Sequence, residues 1–71
     1  MLKTFKSRRK HQVDLYIPEQ GNPSVIIKGP EGDRADLHFE WFERERATKI
    51  AEMIAAGFSA KETASSNDHP T

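Results

Sequence analysis

The chain has 71 residues, which is enough for one small domain with a thin hydrophobic core. It contains no cysteine, so disulfide bridges and cysteine-based zinc sites are excluded. Its formal net charge is zero, and no apolar stretch approaches the roughly 20 residues that cross a bilayer, so we expect a soluble, cytoplasmic protein without a membrane partner.

The first residues of the chain form a basic segment. Five cations fall within residues 1–12, where no acidic residue occurs: Lys3, Lys6, Arg8, Arg9 and Lys10. Residues 13–71 hold the other six Lys and Arg residues and all eleven Asp and Glu residues. The sequence therefore predicts a basic N-terminal arm over residues 1–11, attached to an acidic body. Such asymmetry indicates contact with nucleic acid or an acidic partner. The alternative is an arm that folds back onto the acidic body or stays solvated.

Three segments after the arm carry the signals of β-strands. In "VDLYI", over residues 13–17, every second residue is apolar, which predicts a half-buried strand with Tyr16 on its solvent face. "SVIIK" is short and rich in β-branched residues, which favours a second strand. "ADLHFEW", over residues 35–41, alternates strictly and predicts a third. The Gly- and Pro-containing clusters "EQGNP" and "GPEGD" separate them as turns.

From Phe42 onward the hydrophobic period becomes that of a helix. One stripe collects the apolar residues Ala47, Ile50, Ala51, Ile54 and Phe58. Gly57 lies where a left-handed C-cap belongs, and Phe58 beyond it would pack back on Met53 or Ile54. We therefore predict an α+β fold: a three-stranded antiparallel meander packed against one C-terminal helix. This β-β-β-α domain would span residues 12–58, and residues 59–71 would form a short helical turn and a disordered tail.

The segment "RATKIAEMIAAGFSAKETA" resembles the first two helices of the LuxR-type DNA-binding domain. The matching positions are Arg46, Ile50, Met53, Ile54, Ala55, Gly57, Ser59, Lys61, Glu62 and Ala64. The resemblance implies a further helix that enters the major groove and reads the bases. Only seven residues follow Ala64, and none of them is basic, so we do not expect that reading helix. A glycine cap followed by a Ser59–Glu62 capping box, which would start one more helical turn, produces the same pattern without any DNA-binding role.

The predicted order of elements also resembles the phage integrase arm-binding module, whose sheet lies in the major groove beside a basic arm. In this chain Asp14, Asp36 and Glu40 would occupy the exposed sheet face, where phosphate contact requires Lys or Arg. The layout alone therefore does not assign a function.

Catalytic and metal-binding patterns are weak. The three histidines, His11, His38 and His69, fall in different segments rather than at metal-ligand spacing. His38 shares a predicted strand face with Asp36 and Glu40, which is more typical of a solvated sheet face than of a metal or acid–base site. A phosphate-binding glycine loop with its lysine and a nucleophile beside a base are both missing. We therefore expect no enzyme activity, no cofactor and no metal.

The adjacent aromatic residues Trp41 and Phe42 mark the junction of the third strand and the helix. Since neighbours point in different directions, we expect Trp41 in the core and Phe42 at the start of the helix. An exposed aromatic residue here would instead anchor a partner or stack on a base. The candidate partner-binding residues are Tyr16, His38 and Phe42.

Together these features predict a small, non-catalytic binding or regulatory protein, of the kind found among phage and plasmid accessory proteins. Its basic arm would contact nucleic acid through the five cations of residues 1–12. The alternative is a protein-binding module or inhibitor that engages a host protein through its acidic body, exposed sheet face or edge strand. Either a monomer or a homodimer paired through edge strands fits the pattern.

Overall fold

The computed structural model describes residues 1–65, which form five strands and one helix. In chain order they are β1 (Leu2–Lys6), β2 (Gln12–Tyr16), β3 (Ser24–Lys28), β4 (Arg34–His38), α1 (Arg44–Gly57) and β5 (Lys61–Ser65). All strand pairs are antiparallel, and the strand order across the sheet is β4-β3-β2-β1-β5. The predicted α+β architecture with one helix packed on an antiparallel sheet is confirmed, but the predicted number of strands is wrong, because the sheet has five.

The first additional strand lies within the segment predicted as an arm. β1 pairs with β2 on one side and with β5 on the other, so it occupies the interior of the sheet. Phe5 is only 8% exposed and belongs to the hydrophobic core. A tight turn reverses the chain after β1: the Ser7 N–H donates to the His11 carbonyl at 2.9 Å, and the Lys10 N–H donates to the Ser7 carbonyl at 3.1 Å. Burial of Phe5 and pairing on both edges therefore hold the segment in place.

The second additional strand replaces the predicted helical turn after Ser59. Lys61–Ser65 forms β5 and pairs with β1, with an irregular register between Thr4 and Phe5. The Ser59–Glu62 capping signal is local, whereas the β1 edge offers a ladder of backbone hydrogen bonds, and the ladder prevails. Residues 66–71, which include most of the predicted disordered tail, lie outside the described residues.

Helix α1 packs across β2 and β3 and covers one face of the sheet. The core consists of Phe5, Val13, Leu15, Ile17, Val25, Ala47, Ala51 and Ala55. On the helix, the buried positions are three alanines at i, i+4 and i+8, while Ile50 and Ile54 of the predicted stripe are half-buried. Small side chains let the helix backbone approach the sheet closely, so the larger strand residues fill the volume between the two layers.

The end of α1 differs from the prediction at Gly57. Gly57 lies inside the helix without a positive φ, and Ser59 adopts the left-handed conformation instead, with φ of 56°. The Ala60 N–H donates to the Ala55 carbonyl at 2.7 Å, and the Ser59 N–H donates to the Ala56 carbonyl at 3.0 Å. This is the Schellman pattern displaced by two residues. Because Gly57 is still helical and the left-handed residue comes two positions later, Phe58 reaches His11, and Met53 is left 72% exposed.

Substitutions at these two positions test the helix end. Gly57→Ala should raise the free energy of unfolding by about 0.5–1 kcal/mol, because it removes a helical glycine where a Cβ meets no atom within 4 Å. Ser59→Gly should also stabilise the protein, because glycine adopts positive φ without strain. Urea denaturation of both variants measures the changes. A destabilised Gly57→Ala variant would show that Gly57 is the left-handed cap after all.

Candidate functional site

A basic cleft lies at the end of the sheet where β1 turns into β2 and where α1 terminates. Its volume is about 780 Å³. The lining residues are Lys6, Arg8, Arg9, His11, Gly57, Phe58, Ser59 and Lys61. Four of them are Lys or Arg and none is Asp or Glu. The cleft therefore concentrates positive charge in a molecule whose formal net charge is zero.

Each cation of the cleft is positioned by a different part of the fold. Lys6 ends β1 and Lys61 begins β5, and the two are register partners, so their side chains lie on the same face of the sheet. Arg8 and Arg9 lie in the turn between β1 and β2 and are exposed. The Ser7 hydroxyl accepts the His11 N–H at 3.0 Å, which adds a side-chain bond across that turn. Strand pairing thus brings Lys61 beside cations that are more than fifty residues earlier in the chain.

An aromatic pair lies at the same cleft. The rings of His11 and Phe58 stack with centroids 4.1 Å apart and an interplanar angle of 11°. Phe58 packs against the hydrophobic core, so the pair rests on a fixed base. Both residues also border a second cleft of about 280 Å³ on the side of β3 and β4. The site therefore combines positive charge with stacked ring faces.

A row of basic residues continues from the cleft across the face of the sheet that α1 does not cover. The strand registers align Lys61, Lys6, Gln12, Lys28 and Arg34 in one row across all five strands. The neighbouring row contains Asp14 and Asp36, at the positions where the sequence predicted exposed acids.

These acids neutralise only the part of the row nearest β4. Lys28 Nζ lies 3.5 Å from Asp14 Oδ2, and Arg34 Nε lies 2.8 Å from Asp36 Oδ1. Within residues 1–65, Lys6 and Lys61 form no such ion pair. The uncompensated charge is therefore greatest beside the cleft.

The structure places the five predicted nucleic-acid-binding cations in three settings. Lys6, Arg8 and Arg9 line the cleft. Lys10 lies in the same turn with φ of 69°, outside the lining. Lys3 is the register partner of Leu15, so it lies on the face that α1 covers. Lys61 and the His11–Phe58 pair are not among the residues predicted from the sequence. The β5 pairing and the displaced helix end bring these residues to the cleft, and neither feature has a local sequence signal.

The predicted partner-binding residues are divided between two surfaces. Tyr16 and His38 share one row on the open face of the sheet, and Tyr16 is 48% exposed, as its alternation predicts. Phe42 lies in the connection between β4 and α1, next to Trp41. The rings of these two residues meet edge to face at 5.5 Å.

The expectation that Trp41 is buried is wrong, since Trp41 and Phe42 are each 65% exposed. Phe39 packs against the core instead. A turn closed by the Glu43 N–H and the Glu40 carbonyl at 2.8 Å then carries the two rings outward.

In residues 1–65, no three His, Cys, Asp or Glu side chains converge as a metal site. Asp36 accepts two hydrogen bonds from Arg34, and His69 lies outside the described residues. No helix in this region is long and apolar enough to cross a membrane.

Comparison with known proteins adds no assignment. The chain matches no protein-family model, no curated protein and no solved structure. The segment that resembles the LuxR-type domain does not form two helices, because α1 occupies its first part and β5 its last part.

The Arg34–Asp36 pair provides a test of the open sheet face. Two hydrogen bonds from Arg34, together with the charges of Arg34, His38 and Lys28, lower the pKa of the Asp36 carboxyl below its ordinary value. Its contribution to stability should therefore be present above the pKa of the unfolded chain and be lost as pH falls through the lowered value. NMR titration of carboxyl carbons should show Asp36 titrating below the ordinary aspartate range. Arg34→Gln should raise this pKa more than Lys28→Gln does, since Lys28 supplies charge without a hydrogen bond. Equal effects of the two substitutions would contradict the arrangement.

Proposed function

We propose that the protein is a small, non-catalytic binding protein that binds nucleic acid through the basic cleft and the adjoining β1–β2 turn. The observation that carries this proposal is the lining of the cleft, which has four Lys or Arg side chains and no acidic side chain. Such a cluster neutralises backbone phosphates and releases their counterions, which supplies most of the sequence-independent affinity for nucleic acids.

The features of the cleft favour a single strand over a duplex. Its cations would follow a phosphate backbone, and the stacked rings of His11 and Phe58 offer faces on which an unpaired base could stack. Bases in a duplex are already stacked on each other and do not present their faces. In addition, α1 reaches the cleft only with its C-terminal end, while its buried stripe faces the sheet. The cleft therefore does not present the side of a helix for insertion into a major groove.

Fluorescence anisotropy with a labelled oligo-dT tests the proposal. A length of about 15 nucleotides suits the site sizes of single-strand binders. With four cations contacting phosphates, the slope of log Kobs against log salt concentration should be about −3. Arg8→Glu should weaken binding about ten-fold or more at low salt and make the slope shallower. Lys49→Glu makes the same change of charge on the exposed side of α1 and should leave affinity within about two-fold.

Thermal unfolding of both variants separates lost binding from lost folding. Salt-insensitive binding, or equal losses in the Arg8 and Lys49 variants, would contradict binding through the cleft. A tighter complex with a duplex of the same length would contradict the single-strand preference.

A second candidate function, protein binding, is favoured by Trp41 and Phe42. Trp41 and Phe42 expose two large rings side by side. Large aromatic side chains are enriched among the residues that carry most of the binding energy of a protein interface. They line a surface cleft of about 600 Å³ together with the β2–β3 turn and Arg44. Arg44 donates to the Pro18 carbonyl at 2.6 Å, so this part of the surface is tied to the fold.

Pull-down from nuclease-treated lysate tests this second function. A protein partner should be captured by the wild-type chain and lost with the Trp41→Ala/Phe42→Ala variant, because both anchoring rings are removed. Met53→Ala is the matched control, since it removes another large exposed apolar side chain on a different surface. Oligonucleotide affinity should be unchanged in both variants. Capture that is insensitive to Trp41 and Phe42 would contradict this candidate.

A further inference from the structure

Strand β4 forms an open edge of the sheet. Among the described residues its one neighbouring strand is β3, and all five of its residues are exposed. The Phe39 N–H donates to the Pro23 carbonyl, and the Asp33 carbonyl accepts the Gly29 N–H, so residues 33 and 39 point their backbone groups toward β3. Because these directions alternate along an antiparallel strand, the N–H and C=O groups of Arg34, Asp36 and His38 point outward. The edge therefore presents a row of backbone donors and acceptors for another strand.

We propose that β4 pairs in antiparallel fashion with β4 of a second copy of the chain, with the two-fold axis at Leu37. The sheets of the two copies would then form one continuous sheet, with both helices on the same side. This inference depends on the sheet edge and is independent of nucleic-acid binding.

The side chains of β4 select this register. With Leu37 opposite Leu37 of the second copy, Asp36 faces His38 and Arg34 faces Glu40, so each polar pair unites a basic and an acidic residue. A register centred on Asp36 would instead oppose two aspartates and place Arg34 opposite His38. A register centred on Ala35 would place Leu37 against the Asp33 carboxylate. Of these three registers, the one centred on Leu37 matches both charge and apolarity.

The same register agrees with the backbone geometry. Asp36 and His38 have outward-pointing backbone groups and would form a hydrogen-bonded pair, which leaves Leu37 in a non-hydrogen-bonded pair at the axis. In such pairs the Cα atoms approach to roughly 4.5 Å, so the two leucines contact each other. Leu37 is 37% exposed in the single chain, and this contact would cover it.

Self-pairing of β4 also closes the assembly. A pair of identical edges related by a two-fold axis leaves no further β4 edge, so association through β4 stops at two copies. Pairing of β4 with the opposite edge strand, β5, would leave both edges available and would produce polymers. The second copy is favoured over an unrelated strand because the charge pattern of β4 complements itself.

Cysteine cross-linking tests the register, since the chain has no native cysteine. Leu37→Cys should form an intermolecular disulfide under mild oxidation, because the two positions meet at the axis. Ala35→Cys is the matched control on the same face of the same strand. Its copies would be separated by four residues along the strand, roughly 14 Å, and should not cross-link. Both positions are exposed, so neither substitution disturbs the core. Equal cross-linking of the two variants would overturn the register.

Sedimentation equilibrium tests the pairing itself. The wild-type chain should dimerise with a Kd below about 1 mM, as expected for a small interface. The dimer fraction should therefore increase with concentration in that range. Asp36→Pro should give a monomer, because it removes an N–H that points outward while the β3–β4 ladder is retained. Asp36→Asn keeps that N–H and should still dimerise, within about ten-fold of the wild-type affinity. Circular dichroism checks that both variants fold.

Three outcomes would overturn the proposal. They are a wild-type chain that stays monomeric up to about 1 mM, polymers rather than dimers, and a folded Asp36→Pro variant that dimerises like the wild type. If Asp36→Pro does not fold, the two cysteine variants decide.

Discussion

The pairing of β1 inside the sheet is the interaction on which the other features depend. β1 forms ladders with β2 and β5, and Phe5 anchors it in the core. A strand held on both edges gives its cations defined positions, so Lys6 lies beside Lys61 and the following turn carries Arg8 and Arg9 to the end of α1. Without this pairing the same residues would form a charged segment whose side chains have no fixed positions.

The two faces of the sheet divide the physical roles of the protein. One face contacts α1 through three alanines, which keeps the layers close and leaves the strands to supply the apolar volume. The other face is open and carries ordered rows of polar side chains. Ion pairs balance the charge near β3 and β4, whereas the cations beside the cleft have no such acids within residues 1–65. The local electrostatic field therefore depends on register, and net charge does not reveal it.

The two proposed interactions use opposite edges of the sheet. The basic cleft borders β1 and β5, whereas the strand available for self-pairing is β4. A dimer joined at β4 would leave both clefts accessible at the far ends of a continuous sheet. Two linked sites on one polyanion would bind more tightly than one, because the second contact becomes intramolecular. Dimerisation and nucleic-acid binding are therefore compatible, although neither requires the other.

The sequence by itself determined β2, β3, the start of β4 and nearly all of α1, because each has a hydrophobic period that is set by its own residues. It also determined the exposure of Tyr16. Only the tertiary structure decided that Leu2–Lys6 and Lys61–Ser65 are strands, since their ladder joins segments at opposite ends of the described chain. The same pairing added Lys61 to the cleft. The exposure of Trp41 likewise followed from Phe39 occupying the core position. Local patterns encode periodicity, whereas backbone pairing between distant segments depends on which edges the rest of the fold leaves open.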